Sequence, residues 1–320
     1  MASGTNGTAG RPLLHPLRAL VGTTASGKTE LGIAVAERLR ARQEVEIVSV
    51  DSMLVYRGME VGTAKPSAEQ RARVRHHLLD LVEPQEPFSV AEFQRRGVLA
   101  LEDIGRRGAM PLLVGGSGLY FRALADRLEF PGTDPGVRAD LQTVASAVGA
   151  ERLHERLAAF DPVAAGRIEP SNARRTVRAL EVAAVTGRPF SSFATAWKSY
   201  PASNVRVAGI DLPAEVLDER IARRVDEMVA RGFVEEVDGL VRRGLGGWFT
   251  SSQAIGYAEM TRHLNGSCTL DEAIEGTVRR TRALARRQRA WFRRDPRVRW
   301  FGGSDPASLQ EEIAGYLSDG

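Results

Sequence analysis

Short apolar runs alternate along the chain with longer segments of helical periodicity. Apolar runs rich in branched residues end at Val21, Val50, Val114 and Ile210. Such runs are typical of strands buried on both faces of a parallel sheet, and the segments between them supply crossover helices. The pattern therefore predicts an α/β fold in which helices flank a parallel sheet.

Two smaller elements are predicted between the second and third of these strands. Leu79–Val82 is apolar and Pro84 follows it, so we expect a short edge strand there. Ser89 has the sequence context of a helix N-cap, and Gly108 predicts that this helix ends after about Arg106.

Residues 126–200 differ from their surroundings, because they are rich in Ala, Arg and Glu and have helical periodicity. We expect a helical insertion there, within a core that comprises 17–125 and 201–320. Residues 1–10 are small and polar and lack the charged and apolar regions of a signal peptide, so 1–16 is assigned to a flexible tail.

Arginine is concentrated in helical segments outside the predicted sheet. One helix of the insertion carries Arg174, Arg175 and Arg178, for which a solvated face is the simpler interpretation. In 277–294 arginines recur every three or four residues, and no acidic residue interrupts 278–294. Like charges at this spacing repel one another, so we expect a phosphate backbone as their partner.

Composition narrows the class of protein. The 320 residues are 43% hydrophobic, enough for a full core, and no apolar run reaches membrane-spanning length, so no membrane partner is expected.

Cys268 is the only cysteine, which excludes an internal disulfide and a cysteine-based zinc cluster. His76 and His77 have only Asp80 as a close carboxylate, which favours packing over a metal site. A reducing cytoplasm is the simplest location for a chain with a single cysteine, and we expect a monomer; the net charge of +4 is mild.

Candidate chemistry centres on a glycine-rich segment. It fits the phosphate-loop pattern G-x-x-x-x-G-K-[ST] at every fixed position, between an apolar run and a helical pattern. In this arrangement backbone N–H groups and the start of a helix face an anion. The ammonium group of Lys28 reaches terminal phosphates, and the hydroxyl of Thr29 can bind Mg²⁺. The predicted phosphate-binding residues are Gly22, Thr23, Thr24, Ala25, Ser26, Gly27, Lys28 and Thr29.

The ends of other strands bear on the reaction. Asp51 directly follows a predicted strand, so it should face the same crevice as Lys28. Nucleotide hydrolases place a Mg²⁺-binding aspartate at the end of a buried strand, but Gly115 and Gly116 occupy that position here. Asp211 is a second candidate metal ligand, and a plain strand-end role is the favoured interpretation.

Three functions fit these features. A kinase or ATPase would carry the γ-phosphate of ATP over Lys28, but the missing strand-end aspartate disfavours it. Alternatively, the loop holds the diphosphate of another donor as a leaving group, and a nucleic acid accepts the transferred group. An RNA-binding regulator with an inactive loop is disfavoured by the intact Lys28, Thr29 and Asp51.

Seven segments, taken together and in order, resemble those of the tRNA dimethylallyltransferase (isopentenyl-tRNA transferase) family. The resemblance extends over roughly Leu20 to Arg294, nearly the whole chain. The phosphate loop alone is unspecific, whereas the ordered set is highly specific. The segments are Gly22–Thr29, Asp51–Met53, Gly58–Pro66, His76–Asp80, Gly115–Tyr120, Val177–Val182 with Thr186–Gly187, and Gln253–Tyr257.

The resemblance implies transfer of a dimethylallyl group from dimethylallyl diphosphate to N6 of an adenosine, with release of diphosphate. The implied target lies 3′ of the anticodon in tRNAs that read codons starting with U, and it must leave its stack to react. It also implies a phosphate-loop NTPase-like core, Mg²⁺ as cofactor, and tRNA and dimethylallyl diphosphate as partners.

Residue roles follow from the matching motifs. Asp51 matches the carboxylate that takes the N6 proton, as general base or hydrogen-bond acceptor. Lys28, Thr29 and Arg224 match groups that stabilise the diphosphate, and Thr29 is the expected metal ligand. The residues matched to tRNA contacts are Asp51, Ser52, Met53, Leu54, Ser117, Arg138, Arg174, Arg175, Thr176, Val177 and Arg178.

Overall fold

The structure is a computed structural model, and it divides the chain into two compact units. One comprises residues up to Ala125 and from Ala202 onwards, and the other is Asp126–Pro201. The expected flexible tail, 1–16, lies outside the described residues. These are 17–193, 199–201, 205–248, 250–303 and 305–318.

The first unit is built on one six-stranded sheet with the order β3-β2-β4-β1-β5-β6. Every strand pair is parallel, which confirms the predicted α/β fold. The strands are β1 (Leu17–Val21), β2 (Val45–Val50), β3 (His76–His77), β4 (Met110–Gly115), β5 (Val205–Ile210) and β6 (Val298–Phe301).

The edge strand lies three residues earlier than the sequence predicts. It is His76–His77, and the predicted Leu79–Val82 is wrong. Leu78 and Asp80 have φ angles of 63° and 53°, in the left-handed region, which interrupts an extended chain. The Asp80 carboxylate accepts a hydrogen bond of 2.6 Å from Lys65, and this contact stabilises the bend.

Fourteen α-helices are assigned within the described residues, and α5 to α9 belong to the second unit. None of the helices described has both the length and the apolar character needed to cross a membrane. The helices are α1 (Lys28–Leu39), α2 (Ala68–Arg73), α3 (Val90–Arg106), α4 (Gly118–Ala125), α5 (Pro135–Val148), α6 (Ala150–Phe160), α7 (Pro162–Ala165), α8 (Ala173–Thr186), α9 (Phe190–Phe193), α10 (Ala214–Ala230), α11 (Phe233–Arg242), α12 (Tyr257–Leu264), α13 (Leu270–Phe292) and α14 (Pro306–Ser318).

Helices cover both faces of the sheet. In β1, Val21 belongs to an apolar cluster with Phe292 of α13. Its neighbour Leu20 belongs to a different cluster, with Ile33 of α1 and Ile313 of α14. Successive strand residues point to opposite faces, so burial of both explains the nearly continuous apolar character of these strands.

The predicted helix boundaries hold in part. Ser89 caps α3, which ends at Arg106 as predicted. The long arginine-rich helix α13 begins at Leu270, earlier than predicted, because Thr269 and Glu272 form a capping box there. In α10, Leu217, Ile221 and Val225 are buried, whereas Val216 is 36% exposed.

The described part of the second unit is helical. Leu157 of α6 and Ala179 of α8 pack in a small apolar cluster with Ile168. Asp161 caps α7 by accepting from Ala164 N–H and also accepts from Ser191 N–H, so it ties two short helices together.

Candidate active site

Three neighbouring strands end level with one another at one edge of the sheet. Gly115 of β4 lies opposite Val50 of β2 and opposite Val21 of β1. The phosphate loop follows β1, and Asp51 follows β2. Because the carboxyl ends of parallel strands meet at one edge, the sheet brings these groups together.

The phosphate loop has the backbone of an anion-binding turn. Ala25 and Gly27 have φ angles of 60° and 84°, and Gly27 precedes α1 without a side-chain cap. Lys28 Nζ donates to the Thr23 carbonyl at 3.1 Å. The Ser26 hydroxyl is buried and has no hydrogen-bond partner among the described residues.

A cavity of about 910 Å³ lies against this loop. Its wall includes Lys28, Asp51 and Arg224, from three separate elements. Gly22, Thr23 and Ser26 are buried behind the loop surface. The candidate residues that line the cavity are Thr24, Ala25, Gly27, Lys28, Thr29, Asp51, Ser52, Met53, Leu54 and Arg224.

The charges in this cavity are coupled. Burial lowers the pKa of Lys28 to about 8, the nearby Asp51 carboxylate opposes this shift, and the Arg224 guanidinium adds to it. Burial also lowers the pKa of Arg224, and Asp51 again opposes the shift. Two partly desolvated cations favour an anionic ligand, which would in turn raise the pKa of Lys28.

Asp51 is oriented by its own backbone. Its Oδ1 accepts a hydrogen bond of 2.8 Å from the Met53 N–H, as in an Asx turn. Within the described chain Oδ2 accepts no hydrogen bond, so this oxygen remains available to a ligand in the cavity. A half-exposed carboxylate held in this way can accept a proton or bind a cation.

The end of β4 has no room for the aspartate of a nucleotide hydrolase. A β-carbon on Gly115 would lie 2.2 Å from the Val50 carbonyl oxygen, so any side chain there would force β2 and β4 apart. This close approach removes the usual metal-binding position and agrees with the argument against an ATPase.

The other candidate metal ligands are engaged elsewhere. Asp211 accepts hydrogen bonds of 2.5 Å from both Arg289 and Arg293. His77 Nε2 lies 2.5 Å from the buried Glu46 carboxylate, and His76 Nδ1 lies 2.7 Å from a backbone carbonyl. No group of three metal-binding His, Cys, Asp or Glu side chains occurs within the part of the chain that the structure describes.

Comparison with known proteins assigns the family. The sequence profile of the IPP transferase family matches residues 54–295. The chain belongs to the IPP transferase family. A tRNA dimethylallyltransferase of Nocardioides sp. is 48% identical over 303 residues, which cover 95% of this chain and 96% of that protein. One of Salinispora arenicola is 52% identical over 295 residues, covering 92% and 84% of the two chains.

Solved structures of IPP transferases share the fold. A full-length tRNA isopentenylpyrophosphate transferase of Bacillus halodurans is 40% identical, with a TM-score of 0.67, and the match covers 94% of this chain and 96% of that one. A eukaryotic dimethylallyltransferase, described as acting on tRNA, is 25% identical with a TM-score of 0.72, covering 91% and 74%.

In this IPP transferase the arginines of α13 are less isolated than the sequence suggests. The prediction that they lack acidic partners is wrong, because carboxylates arrive from other elements. Arg280 pairs with Glu259 at 2.5 Å, and Arg282 lies 3.5 Å from Asp218. Arg287 lines the cavity and pairs with no carboxylate among the described residues, so the case for a phosphate partner is strongest there.

Sequence reasoning missed the groups that hold one wall of the cavity. The Glu236 carboxylate accepts hydrogen bonds from the N–H groups of Glu60 and Val61 at 2.8 and 2.7 Å. It also accepts from Gly62 N–H at 3.1 Å and from the Tyr257 hydroxyl at 2.6 Å. Glu60 to Gly62 belong to a motif of the family resemblance, but nothing in that motif reveals its partner more than 170 positions away.

Ser117 and Leu54 are placed differently around the site. Leu54 lines the cavity, whereas Ser117 does not. The N–H of Ser117 donates to the Val50 carbonyl at 3.3 Å, immediately before Asp51, and its side chain is half-buried.

The candidate tRNA contacts of the second unit fall into two groups. Arg174 and Arg175 are exposed, whereas Thr176 and Val177 are buried, with 0% and 4% exposure. Thr176 Oγ1 donates to the Asn172 carbonyl, so this side chain serves α8 itself.

Arg138 and Arg178 converge on one buried carboxylate in the second unit. Both lie within hydrogen-bond distance of Glu181 Oε2, at 2.8 and 2.9 Å. Burial alone would raise the pKa of Glu181, but the hydrogen bonds from Arg178 and Arg138 lower it overall. The side chains of Arg138 and Arg178 remain 31% and 27% exposed. The two arginines are therefore held in place by Glu181.

Proposed function

We propose that the protein transfers a dimethylallyl group from dimethylallyl diphosphate to N6 of an adenosine in tRNA. The observation that carries the proposal is that Asp51, Lys28 and Arg224 line one cavity beside the phosphate loop. The names of the similar proteins, tRNA dimethylallyltransferases, support the same reaction.

The charges of the cavity suit the departure of diphosphate. The loop N–H groups, Lys28 and Arg224 would stabilise the negative charge that develops as the bond between carbon and the diphosphate oxygen breaks. The electron pair of that bond leaves with the diphosphate. A new bond then joins the dimethylallyl carbon to the adenosine nitrogen.

Asp51 supplies the complementary role. An exocyclic amine is a weak nucleophile, so a carboxylate that accepts its proton assists the attack. Oδ1 is committed to the Met53 N–H, which leaves Oδ2 to receive the N6 proton. The transfer is then balanced: the amine loses one proton to Asp51 and gains the dimethylallyl group.

The residues present fit Mg²⁺, which we propose as the cofactor. Mg²⁺ is usually held by few protein groups together with phosphate oxygens and water, so the hydroxyl of Thr29 and the phosphate oxygens of the donor would suffice. Thr29 lines the cavity next to Lys28, so its side chain lies at the surface that would receive the diphosphate. When bound, the ion would screen the charge of the diphosphate.

The proposal includes a specific tRNA nucleotide as the target and a set of residues that contact the tRNA. The target adenosine lies 3′ of the anticodon in tRNAs that read codons starting with U, and it is flipped out to reach Asp51. Ser52, Met53, Leu54 and Ser117 near the sheet edge are proposed to contact the RNA. In the second unit we propose the same for Arg138 and the segment 174–178, where Thr176 and Val177 would act by supporting the arginines. A tRNA substrate also supports the expected cytoplasmic location.

A single incubation tests the reaction class. Purified protein is mixed with Mg²⁺, unmodified tRNA and labelled dimethylallyl diphosphate, and label is measured in the RNA. A matched tRNA with guanosine in place of the target adenosine should remain unlabelled. Rapid hydrolysis of ATP without RNA, together with unlabelled tRNA, would contradict the proposal and favour a nucleotide hydrolase.

A further inference from the structure

Gln288 of α13 lies between the two glycine-rich turns of the site. Its Oε1 accepts a hydrogen bond of 2.8 Å from the Thr24 N–H, inside the phosphate loop. Its Nε2 is 2.6 Å from the point that a β-carbon on Gly116 would occupy, and the Gly22 carbonyl oxygen is 2.9 Å from that point. One side-chain amide therefore contacts both turns at once.

The contact falls at a sensitive place in the loop. Thr24 immediately precedes Ala25, whose φ of 60° is unusual for a residue with a side chain. Such a backbone costs free energy and persists only where neighbouring contacts hold it. The hydrogen bond to Gln288 is a contact of this kind, and it links the loop to a helix 264 positions later in the chain.

The side-chain type suits this place. Glutamine can accept from an N–H group while it adds no charge beside a site that is to bind an anion. A glutamate of the same length would also accept from Thr24, but its negative charge would oppose the diphosphate. Gly116 is equally constrained, because any side chain there would displace the Gln288 amide.

We propose that Gln288 is a positioning residue for the transfer reaction. It ties the phosphate loop to the turn after β4 and thereby sets the affinity of the loop for the diphosphate of the donor. The inference rests on the proposed function of that loop. It assigns a role at the site to an uncharged side chain of α13, a helix that is otherwise rich in arginine.

Steady-state transfer kinetics with two variants test the inference. Methionine has a similar length to glutamine but forms no hydrogen bond to Thr24. In Gln288→Met the KM for dimethylallyl diphosphate should therefore rise roughly tenfold, which corresponds to the free energy of one lost hydrogen bond. Gln288→Glu keeps the acceptor but adds charge, so its donor KM should rise further. The KM for tRNA and the kcat should change by less than about threefold in both variants.

The control is Gln310→Met on α14. Gln310 Nε2 donates to the Ala34 carbonyl at 2.9 Å, and Gln310 does not line the cavity. It removes a comparable hydrogen bond, so it should leave the donor KM unchanged. Thermal unfolding of all variants shows whether the fold is kept, and if the methionine variant does not fold, the glutamate variant decides.

Each result has a definite meaning. A donor KM like that of the wild type in Gln288→Met, or a weaker effect of glutamate than of methionine, would overturn the inference. A change confined to the KM for tRNA would overturn it too. Absence of transfer by the wild-type protein would instead refute the proposed function, so the two failures are distinguishable.

Discussion

Two aspartates follow parallel strands of the same sheet, and the structure gives them opposite environments. Asp51, after β2, keeps one carboxylate oxygen available and lines the cavity. Asp211, after β5, has both oxygens engaged by Arg289 and Arg293. Their positions in the sheet are equivalent, so the side chains that arrive from distant helices decide which one can react.

The largest expected effect is at Asp51. Asp51→Asn preserves shape but cannot accept the N6 proton, so single-turnover transfer should slow by about 10² to 10⁴. tRNA binding, measured by filter retention, should persist. A transfer rate near that of the wild type would show that Asp51 is not the proton acceptor and would remove the contrast with Asp211.

Arg224 sharpens the comparison, because its charge is coupled to Asp51. Arg224→Ala removes a cation from the cavity wall, and the donor KM should rise by about tenfold to a hundredfold. Arg223→Ala is a matched control on the same helix, since Arg223 lies 3.5 Å from Glu227 and does not line the large cavity. Equal effects of the two substitutions would argue against a specific contact.

The pH dependence should follow Lys28. Its pKa of about 8 means that the loop loses a cation as the pH rises through this value. The kcat/KM for the donor reports groups of the free enzyme, so it should fall by roughly tenfold per pH unit above this point. Lys28→Arg, which stays charged, should remove the alkaline decline. An unaltered decline in that variant would assign it to another group.

The smallest effect is expected at Asp211. Asp211→Asn weakens a half-exposed pair of ion contacts, so it should lower the free energy of unfolding by about 1 kcal/mol. The melting temperature should fall by a few degrees, while the kinetics of transfer and their pH dependence stay as in the wild type. Loss of transfer in this variant would show that the two strand ends are not as different as their contacts indicate.

Local patterns predicted most of the core. The branched apolar run Val45–Val50 forms β2, which ends at Val50 as predicted, and the position of Asp51 follows from it. The phosphate loop could also be predicted from the local sequence, because its glycines and its lysine act through their own backbone and their immediate neighbours. These features need no information from distant residues.

The errors share a different cause. Leu78 and Asp80 have positive φ angles, and the Asp80 side chain is held by Lys65, a contact that a strand pattern does not show. The acidic partners of α13 come from other elements, so the absence of acidic residues from 278–294 wrongly suggested that its arginines are unpaired. Nothing in the local sequence predicts a role for Gln288, because its contact with Thr24 exists only once α13 packs against the phosphate loop.

The Glu236 contacts have a consequence for the order of assembly during translation. The carboxylate and the N–H groups that it caps are separated by 174 to 176 positions. A nascent chain that ends before Glu236 can already contain the whole phosphate loop, yet the backbone of Glu60 to Gly62 still lacks its acceptor. Contacts between such distant positions form late, so the backbone of Glu60 to Gly62 gains its acceptor only after more than two thirds of the chain has been synthesised.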